Sequence, residues 1–342
     1  MRKNLLRFGV FFLLTLVFLF FFIRRVEWKE VLGYLTDVDL KFLVLVFILV
    51  PVHFATRGFR WKFLLMNEKK GAKFSHMFAG NAIGFTVTLL FPGRLGELAK
   101  PLYLAQKERI SRGFAIGTVV VERIFDMFTM CFLLGVFLLA KPLYSSYFQG
   151  KEEAYSSLQL YGIIGVIIAT ILLAIILILY FFKEKALSVI TLLLKPVPEK
   201  ISQMILKASK GFIQGLKFFH SVRNLFIYIL LSFVVWIGII FYYWIFFFAY
   251  KISVPFFLLC PYVFLILIGA SIPTPGMVGG FDYFSKVGLT SLFDVDVNLA
   301  VGMTIVVHAA QVVMTCLVGY VILWKEGISL LQLKKLGEDV KK

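Results

Sequence analysis

Long apolar runs separated by short basic segments form the main pattern of this chain. Six of the runs approach the length of about 20 residues that a helix needs to cross the hydrocarbon core of a membrane. The pattern predicts an all-α polytopic membrane protein with about six spanning helices. They are expected over residues 5–23, 40–58, 113–140, 158–182, 225–249 and 298–324.

Two further apolar regions, 74–106 and 255–297, are interrupted in the middle by proline and glycine. These residues break a straight helix, because proline lacks a backbone donor and glycine adopts turn conformations easily. Each region is therefore too long for one span and is interrupted where a turn would lie. The pattern predicts two helical hairpins, one with its turn at Pro92-Gly93 and the other with its turn between Pro273 and Gly280.

The distribution of lysine and arginine predicts the orientation of the chain. Residues 57–73 carry six basic residues against one acid, and residues 183–223 carry eight against two. Short cytoplasmic loops are enriched in such residues, so we expect these segments and both termini to be cytoplasmic. The loops 141–157 and 286–297 have no basic excess and are expected outside.

With this orientation, the two interrupted regions become re-entrant hairpins that face each other. Region 74–106 has basic segments on both sides and should enter and leave from the cytoplasm, whereas 255–297 should enter and leave from outside. Residues 1–140 and 158–324 then form two halves of an inverted-topology repeat within a single integral membrane domain, 1–342. In transporters, interrupted segments at corresponding positions of two halves point to a midplane binding site.

Composition excludes several classes of protein. Hydrophobic residues make up 60% of the chain and charged residues 16%, whereas soluble domains are about 45–50% apolar and about 25% charged. A soluble enzyme or a disordered chain is therefore excluded. The net charge of +17 fits basic loops that face anionic lipid better than it fits nucleic acid. Residues 184–222 alternate lysine with apolar residues, which predicts an amphipathic segment along the cytoplasmic interface, although a solvated connector would give a similar pattern.

Several charged residues fall inside the apolar regions. A charge at the bilayer centre costs about 2.5–3.5 kcal/mol, so such residues are candidates for function. One interpretation is a set of ion pairs that locks the first hairpin against the next helix; the other is a polar cavity that binds a substrate. The candidates for substrate binding and translocation are Arg94, Glu97, Lys100, Glu122, Arg123, Asp126, Asp282 and His308.

Two further groups of residues are candidates for contact with a lipid headgroup. Arg57, Arg60 and Trp61 follow a predicted span and are expected at its interfacial end, near an entrance. The hairpin tips should expose backbone N–H groups and helix N-termini, which attract phosphate or carboxylate; the alternative is that their glycines only permit tight turns. The tip residues are Pro92, Gly93, Gly96, Pro273, Pro275, Gly276, Gly279 and Gly280.

Motifs for other chemistry do not occur in the sequence. There is no Walker A pattern, nucleophile elbow or metal-ligand cluster, and the three cysteines are far apart within apolar runs. We therefore expect no cofactor, no bound metal and no ATP-driven step in this chain.

The motifs resemble those of a known family. Arg57-x-x-Arg60-Trp61, then Pro92-Gly93-Arg94-x-Gly96-Glu97 and Glu122-Arg123-x-x-Asp126, together with Pro273-x-Pro275-Gly276-x-x-Gly279, are similar to the flippase-like integral membrane family. This family is the transmembrane region of lysylphosphatidylglycerol synthases. The resemblance covers nearly the whole chain and implies a fold that moves a lipid headgroup between leaflets.

Two departures from that family limit what the resemblance implies. The soluble aminoacyl-transferase domain of the two-part synthases would follow the last helix, where 18 residues follow here, so the chain is not expected to make lysyl-lipid. Family members commonly show a glutamate near Asp282, which would take its place here.

We therefore expect a transporter of the inner (plasma) membrane that moves a phospholipid or a polyprenyl-phosphate-linked glycolipid. Its expected partners are anionic lipids, with a homo-oligomer or a cell-envelope biosynthesis protein as further candidates and no nucleic acid. The alternatives are an ion-coupled transporter of a small soluble anion and a membrane enzyme that acts on lipid-linked substrates, with Glu122 and Asp126 as acid and base.

Overall fold

The computed structural model describes residues 2–66, 68–91, 93–140, 152–199 and 222–328, with 202, 203, 206 and 209. These residues form α-helices joined by short turns, and no strand occurs among them. The helices are α1 (Arg2–Ile23), α2 (Trp28–Thr36), α3 (Leu40–Leu65), α4 (Phe74–Leu90), α5 (Gly96–Glu108), α6 (Arg112–Leu139), α7 (Glu152–Phe181), α8 (Lys183–Leu193), α9 (Val222–Phe248), α10 (Leu259–Ser271), α11 (Gly280–Phe293) and α12 (Val297–Lys325).

Three of the described helices, α3, α9 and α12, are by themselves long and apolar enough to cross a membrane. A fourth span would result if α1 and α2, which meet at an angle of 89°, count as one broken segment. Helices α6 and α7 also overlap predicted spans. However, α6 contains four charged residues, so its composition alone does not identify it as a span.

Large apolar side chains point outward from the helices. On α3, for example, Val44, Ile48 and Val52 are about half exposed, and they recur every four residues along one face. Such a stripe is expected where a helix faces lipid rather than water. The exposed apolar faces and the apolar helices together indicate a multi-pass membrane protein.

The structure differs from the sequence prediction near the second predicted span. Helix α3 continues to Leu65, beyond the predicted end at residue 58. Arg57 lies in the last turn of the predicted span, and the additional turns carry Arg60 and Trp61; all three residues are buried. They do not lie at an exposed interfacial end, because a continuous helix places them opposite the carboxylates of α6. A short helix, α2, also lies between the first two predicted spans.

The first interrupted region folds back on itself. Helix α4 ends at Leu90, α5 begins at Gly96, and the two helices pack against each other. Gly93 and Arg94 in the turn have positive φ angles of 79° and 55°. Pro92 lies outside the described residues. A β-carbon at Gly96 would lie 1.8 Å from the carbonyl oxygen of Gly84, so the arms approach too closely for any other residue at this position.

The second interrupted region repeats this arrangement. Helices α10 and α11 pack against each other, and the turn between them contains a 3₁₀ turn, Pro275–Met277. A β-carbon at Gly269 would lie 2.4 Å from the carbonyl oxygen of Gly280. Each region is therefore a helical hairpin whose arms meet at a pair of glycines.

The main apolar core lies where α9, α10, α11 and α12 meet α3. Helix α8 covers the beginning of the predicted amphipathic segment 184–222. Most of this segment from residue 200 onward lies outside the described residues, and so do residues 141–151 and 329–342. Both arms of the second hairpin therefore contribute side chains to this core.

Candidate functional site

Asp126 on α6 binds three donors from two other helices. Arg60 Nη1 and Trp236 Nε1 donate to Asp126 Oδ1 at 2.8 and 3.1 Å, and Arg57 Nη1 donates to Oδ2 at 3.0 Å. The side chains of Arg57, Arg60 and Asp126 are each at most 6% exposed. A buried carboxylate needs such partners, because an unpaired charge in a low-dielectric interior is expensive.

Glu122 lies one turn before Asp126 and extends the network towards the first hairpin. Its Oε2 accepts a hydrogen bond from Lys100 Nζ of α5 at 2.5 Å, and its Oε1 is 3.7 Å from Arg60 Nη2. The Lys100 ammonium also lies 4.3 Å from the centre of the Trp61 ring, a cation–π distance. Lys100 thereby joins the hairpin to both α3 and α6.

Arg94 and Glu97 at the first hairpin tip are less buried. Arg94 Nη2 donates to the carbonyl oxygen of Ala270 at 2.6 Å, in the last turn of α10. A cation is favourable there because the last carbonyl groups of a helix carry partial negative charge. Glu97 Oε2 is 3.5 Å from Arg123 Nε, and Arg123 Nη1 is 3.5 Å from Asp126 Oδ2. Arg94 therefore connects the tip of one hairpin to the other hairpin.

The charged side chains around Glu122, Asp126 and the first hairpin tip form one group, which we call the ion cluster, and positive charge exceeds negative charge in it. Its members are Arg57, Arg60, Arg94, Lys100, Arg123, Glu97, Glu122 and Asp126. The described residues thus supply five cations and three anions. The buried nitrogens Arg94 Nε and Arg123 Nε have no hydrogen-bond partner among them. An excess of buried cations in a membrane protein favours binding of an anion.

A cavity of about 180 Å³ opens beside the ion cluster. Arg57, Arg94, Glu97 and Arg123 form its charged wall, and helices α3, α9 and α10 supply apolar walls. Met277 and Phe281 of the second hairpin line it as well, so the cavity lies between the two hairpins. An apolar cavity with a few convergent polar groups is the usual form of a small-molecule site.

Asp282 and His308 form a separate pair at the second hairpin. His308 Nδ1 lies 2.6 Å from Asp282 Oδ1, and His308 Nε2 lies 2.9 Å from the carbonyl oxygen of Gly276. Asp282 Oδ2 accepts the N–H of Gly279 at 2.8 Å. One backbone N–H group at the N-terminus of α11 is therefore bound by the carboxylate of the helix's own first turn.

The two halves contain matching pairs of residues. Glu97 and Arg123 are 26 residues apart, and so are Asp282 and His308. In both pairs the acid lies on the second arm of a hairpin and the base lies on the long helix that follows. Each member of the second pair lies 185 residues after its counterpart, and so does Gly269 relative to Gly84.

Some participating residues were missed by sequence reasoning. Trp236 donates to Asp126, Ser232 Oγ accepts from Arg60 Nη1 at 3.2 Å, and Tyr228 packs beneath the Arg60 guanidinium. These residues recur every fourth position on α9, a helix that is otherwise apolar. This stripe is a signal that periodicity analysis can detect. His53, one turn before Arg57, accepts a hydrogen bond from Arg57 Nε at 2.8 Å.

Comparison with known proteins relates nearly the whole chain to membrane proteins. The family model described as the lysylphosphatidylglycerol synthase transmembrane region matches residues 5–319. The chain is 23% identical to a UPF0104 membrane protein of Methanocaldococcus jannaschii over 94% of this chain and 95% of that protein. It is 26% identical to the glycosyltransferase AglD of Haloferax volcanii over 37% of this chain, but over only 20% of AglD. No solved structure matches the chain.

Proposed function

The chain belongs to the family of lysylphosphatidylglycerol synthase transmembrane regions, and from this premise we propose that it moves a phosphate-bearing lipid between the leaflets of a membrane. The substrate would be a phospholipid or a polyprenyl-phosphate-linked glycolipid. The observation that carries the proposal is the excess of cations on the wall of the central cavity, where Arg57, Arg94 and Arg123 meet an apolar surface.

Arg94 would be the first contact of the lipid phosphate. It is bonded to a neutral carbonyl oxygen of Ala270, and a charged phosphate is a stronger acceptor for a guanidinium than a carbonyl group is. A phosphate that enters the cavity would therefore replace this bond and separate the two hairpin tips. Arg123 has one buried nitrogen without a hydrogen bond among the described residues and would supply a second donor.

Glu122, Asp126 and Lys100 would act as the fixed part of the site. Their mutual contacts hold Arg57 and Arg60 in place, and positioning of charged groups before a ligand arrives lowers the cost of binding. The two interpretations of the sequence are then compatible, since the ion pairs lock the first hairpin and the cations that remain bind the substrate.

The matching pairs support the proposal of an inverted repeat with two opposed re-entrant hairpins and six spanning helices. An acid–base pair at equal spacing in both halves, and a glycine contact in both hairpins, are expected if one structural unit occurs twice. Substrate sites of inverted-repeat transporters lie at the interface of the repeats. The proposed orientation places both termini in the cytoplasm and the protein in the plasma membrane.

A transporter explains the site better than an enzyme does. Both carboxylates of α6, Glu122 and Asp126, are engaged by cations, so neither is placed to exchange a proton with a substrate. The proposal extends to anionic membrane lipids as the natural partners of the protein.

Reconstitution tests the proposal and separates it from transport of a soluble anion. Vesicles containing the purified protein carry a fluorescent phospholipid and trapped inorganic phosphate. We expect protein-dependent exchange of the lipid between leaflets, with retention of the phosphate. Arg94→Ala should slow the exchange, whereas Arg112→Ala, a change at an exposed arginine, should not. Release of the phosphate without lipid exchange would contradict the proposal.

A further inference from the structure

The second hairpin contains a histidine whose two ring nitrogens both face oxygen atoms. His308 Nδ1 faces Asp282 Oδ1 and His308 Nε2 faces the carbonyl oxygen of Gly276. The two side chains are largely buried, at 8% and 10% exposure. Asp282 is also bound to the backbone N–H of Gly279. The pair thus contacts the hairpin tip at two points.

The protons needed for these contacts can be counted. A carbonyl oxygen only accepts hydrogen bonds, so His308 Nε2 must carry a hydrogen. A second hydrogen must lie between Nδ1 and the carboxylate, whether it resides on the imidazole or on the acid. Removal of one proton leaves one hydrogen for two acceptors, so that one of the two contacts is lost. Both contacts together therefore hold one releasable proton.

The hydrogen that remains should stay between Nδ1 and the carboxylate, because a hydrogen bond to a charged acceptor is stronger than one to a neutral carbonyl group. The contact that is lost is then the one between His308 Nε2 and Gly276, which holds the hairpin tip. Among the described residues, the side-chain hydrogen bonds to the tip 272–279 come from Asp282 and His308. The tip carries Met277, which lines the cavity. Loss of the contact with Gly276 would free this part of the cavity wall from α12.

The matching pair in the first half, Glu97 and Arg123, cannot release a proton in this way. Arg123 occupies the position equivalent to His308, opposite Glu97, and a guanidinium keeps its charge at every physiological pH. An imidazole, unlike a guanidinium, can bind and release a proton. Of the two matching pairs, the one in the second half is therefore the titratable one.

We propose that Asp282 and His308 form a proton-binding site that holds the second hairpin tip and couples lipid movement to the movement of a proton. This inference rests on the proposed function and adds the ion that would drive it. The bound proton closes the tip against α12, and its release opens the cavity wall on the side of the second hairpin.

Among the described residues, no other charged side chain forms an ion pair or hydrogen bond with Asp282 or His308. Helix α10 and the described side chains of α1 before Arg24 bear no charge. On α11, Lys286 is bound to backbone carbonyl groups at the end of α1. The other titratable or charged groups on α11, α12 and the elements packed against them are Lys29, Glu30, Tyr34, Lys41, His53, Arg57, Arg60, Lys62, His76, Cys260, Tyr262, Tyr283, Cys316, Tyr320, Lys325 and, from the first hairpin, Arg94.

The test measures how a pH gradient distributes a labelled phospholipid between leaflets. Vesicles containing the protein are prepared with a difference of one pH unit and with the membrane potential held at zero. One proton moved per lipid should give a leaflet ratio of about tenfold at steady state, reversed when the gradient is reversed. His308→Gln keeps a donor for Gly276 but cannot bind an extra proton, so it should exchange lipid to an even distribution. Asp282→Asn is expected to behave in the same way.

The chain offers a matched control. His76 Nδ1 lies 2.6 Å from Glu108 Oε1, the same distance as between His308 and Asp282. This pair lies at the end of the first hairpin that is away from its turn. His76→Gln should retain the tenfold ratio.

The outcomes separate the two proposals. Protein-dependent exchange that stays even under either gradient in the wild-type protein would overturn proton coupling and leave lipid transport standing. If the protein causes no exchange of the lipid between leaflets, the proposal of lipid transport itself is overturned. If both variants fail to fold, the wild-type ratio decides alone. A ratio that persists in folded His308→Gln would also exclude this site.

Discussion

Asp126 shows at the residue scale how this protein places charge inside apolar surroundings. One carboxylate binds Arg57, Arg60 and Trp236, so its removal would deprive two buried guanidinium groups of their nearest carboxylate. The cost of an uncompensated buried charge exceeds that of losing an exposed ion pair. The stability of the fold should therefore depend strongly on this one residue.

Asp126→Asn tests this dependence. We expect the free energy of unfolding to fall by about 3–5 kcal/mol, the usual cost of breaking a buried ion pair, with a large decrease in the thermal midpoint in detergent. Glu97→Gln serves as the control, because its contact with Arg123 is about one third exposed and should contribute at most about 1 kcal/mol. Equal effects of the two changes would contradict the network described for Asp126.

Arg94 should contribute to ligand binding more than to stability. Arg94→Gln removes a charged donor from the cavity wall, and hydrogen bonds to charged groups contribute about 1.5–3 kcal/mol. We expect affinity for an anionic phospholipid, measured by thermal stabilisation in an uncharged detergent, to fall by about tenfold or more. Arg112→Gln should leave the affinity unchanged. Unaltered lipid affinity in Arg94→Gln would exclude Arg94 from the site.

Sequence reasoning reached the residues of the ion cluster but not all of their partners. Glu122 and Asp126 could be placed on one face of a helix by their spacing, and Arg123 could be paired with Asp126. The donors Arg57 and Arg60 were assigned to an exposed interface, because a run of arginine and lysine is typical of a helix end. Only tertiary packing, which brings α3 against α6, shows that these arginines are buried.

At the scale of elements, the two hairpins depend on glycine in a way that sequence only partly indicates. The Pro-Gly motifs predicted turns, and the turn glycines Gly93, Gly276 and Gly279 do have positive φ angles. Gly96 and Gly280 instead permit the arms to touch. That contact joins residues more than ten positions apart, so no local pattern reveals it.

Gly96→Ala should therefore be among the more damaging small changes in the chain. Its methyl group would collide with backbone atoms of Gly84, which cannot move without displacing α4. We expect a loss of about 3 kcal/mol in stability, at the upper end for overpacked sites. Gly113→Ala, where no atom lies within 4 Å of the added carbon, should be neutral. Wild-type stability in Gly96→Ala would show that the hairpin arms are not closely packed.

At the scale of the whole molecule, the proposed inverted repeat predicts which surfaces share a side of the membrane. Both ends of the first hairpin should be accessible from one side and both ends of the second from the other. Single cysteines at the exposed positions Lys69, Arg109, Lys251 and Asp294, in a background without native cysteine, would test this with an impermeant thiol reagent. Labelling of Lys69→Cys and Arg109→Cys from opposite sides would contradict a re-entrant hairpin.

The overall architecture was the most predictable level, since helices occur at all six positions expected from the apolar runs. Length and composition alone identify three of them as spans, with a fourth if α1 and α2 are combined. Helix α6 is not identified as a span by its composition, because it carries charged residues of the ion cluster. The residues that indicate the candidate site are thus the same ones that prevent recognition of this span from composition.

The arginine-lined cavity is proposed to move lipids that carry a phosphate. The most direct measurement compares leaflet exchange of a phospholipid and of an uncharged glycolipid with the same acyl chains in the same protein-containing vesicles. We expect the protein to accelerate exchange of the phospholipid only, and Arg94→Gln to remove the acceleration. Equal acceleration of both lipids, or none of either, would contradict it.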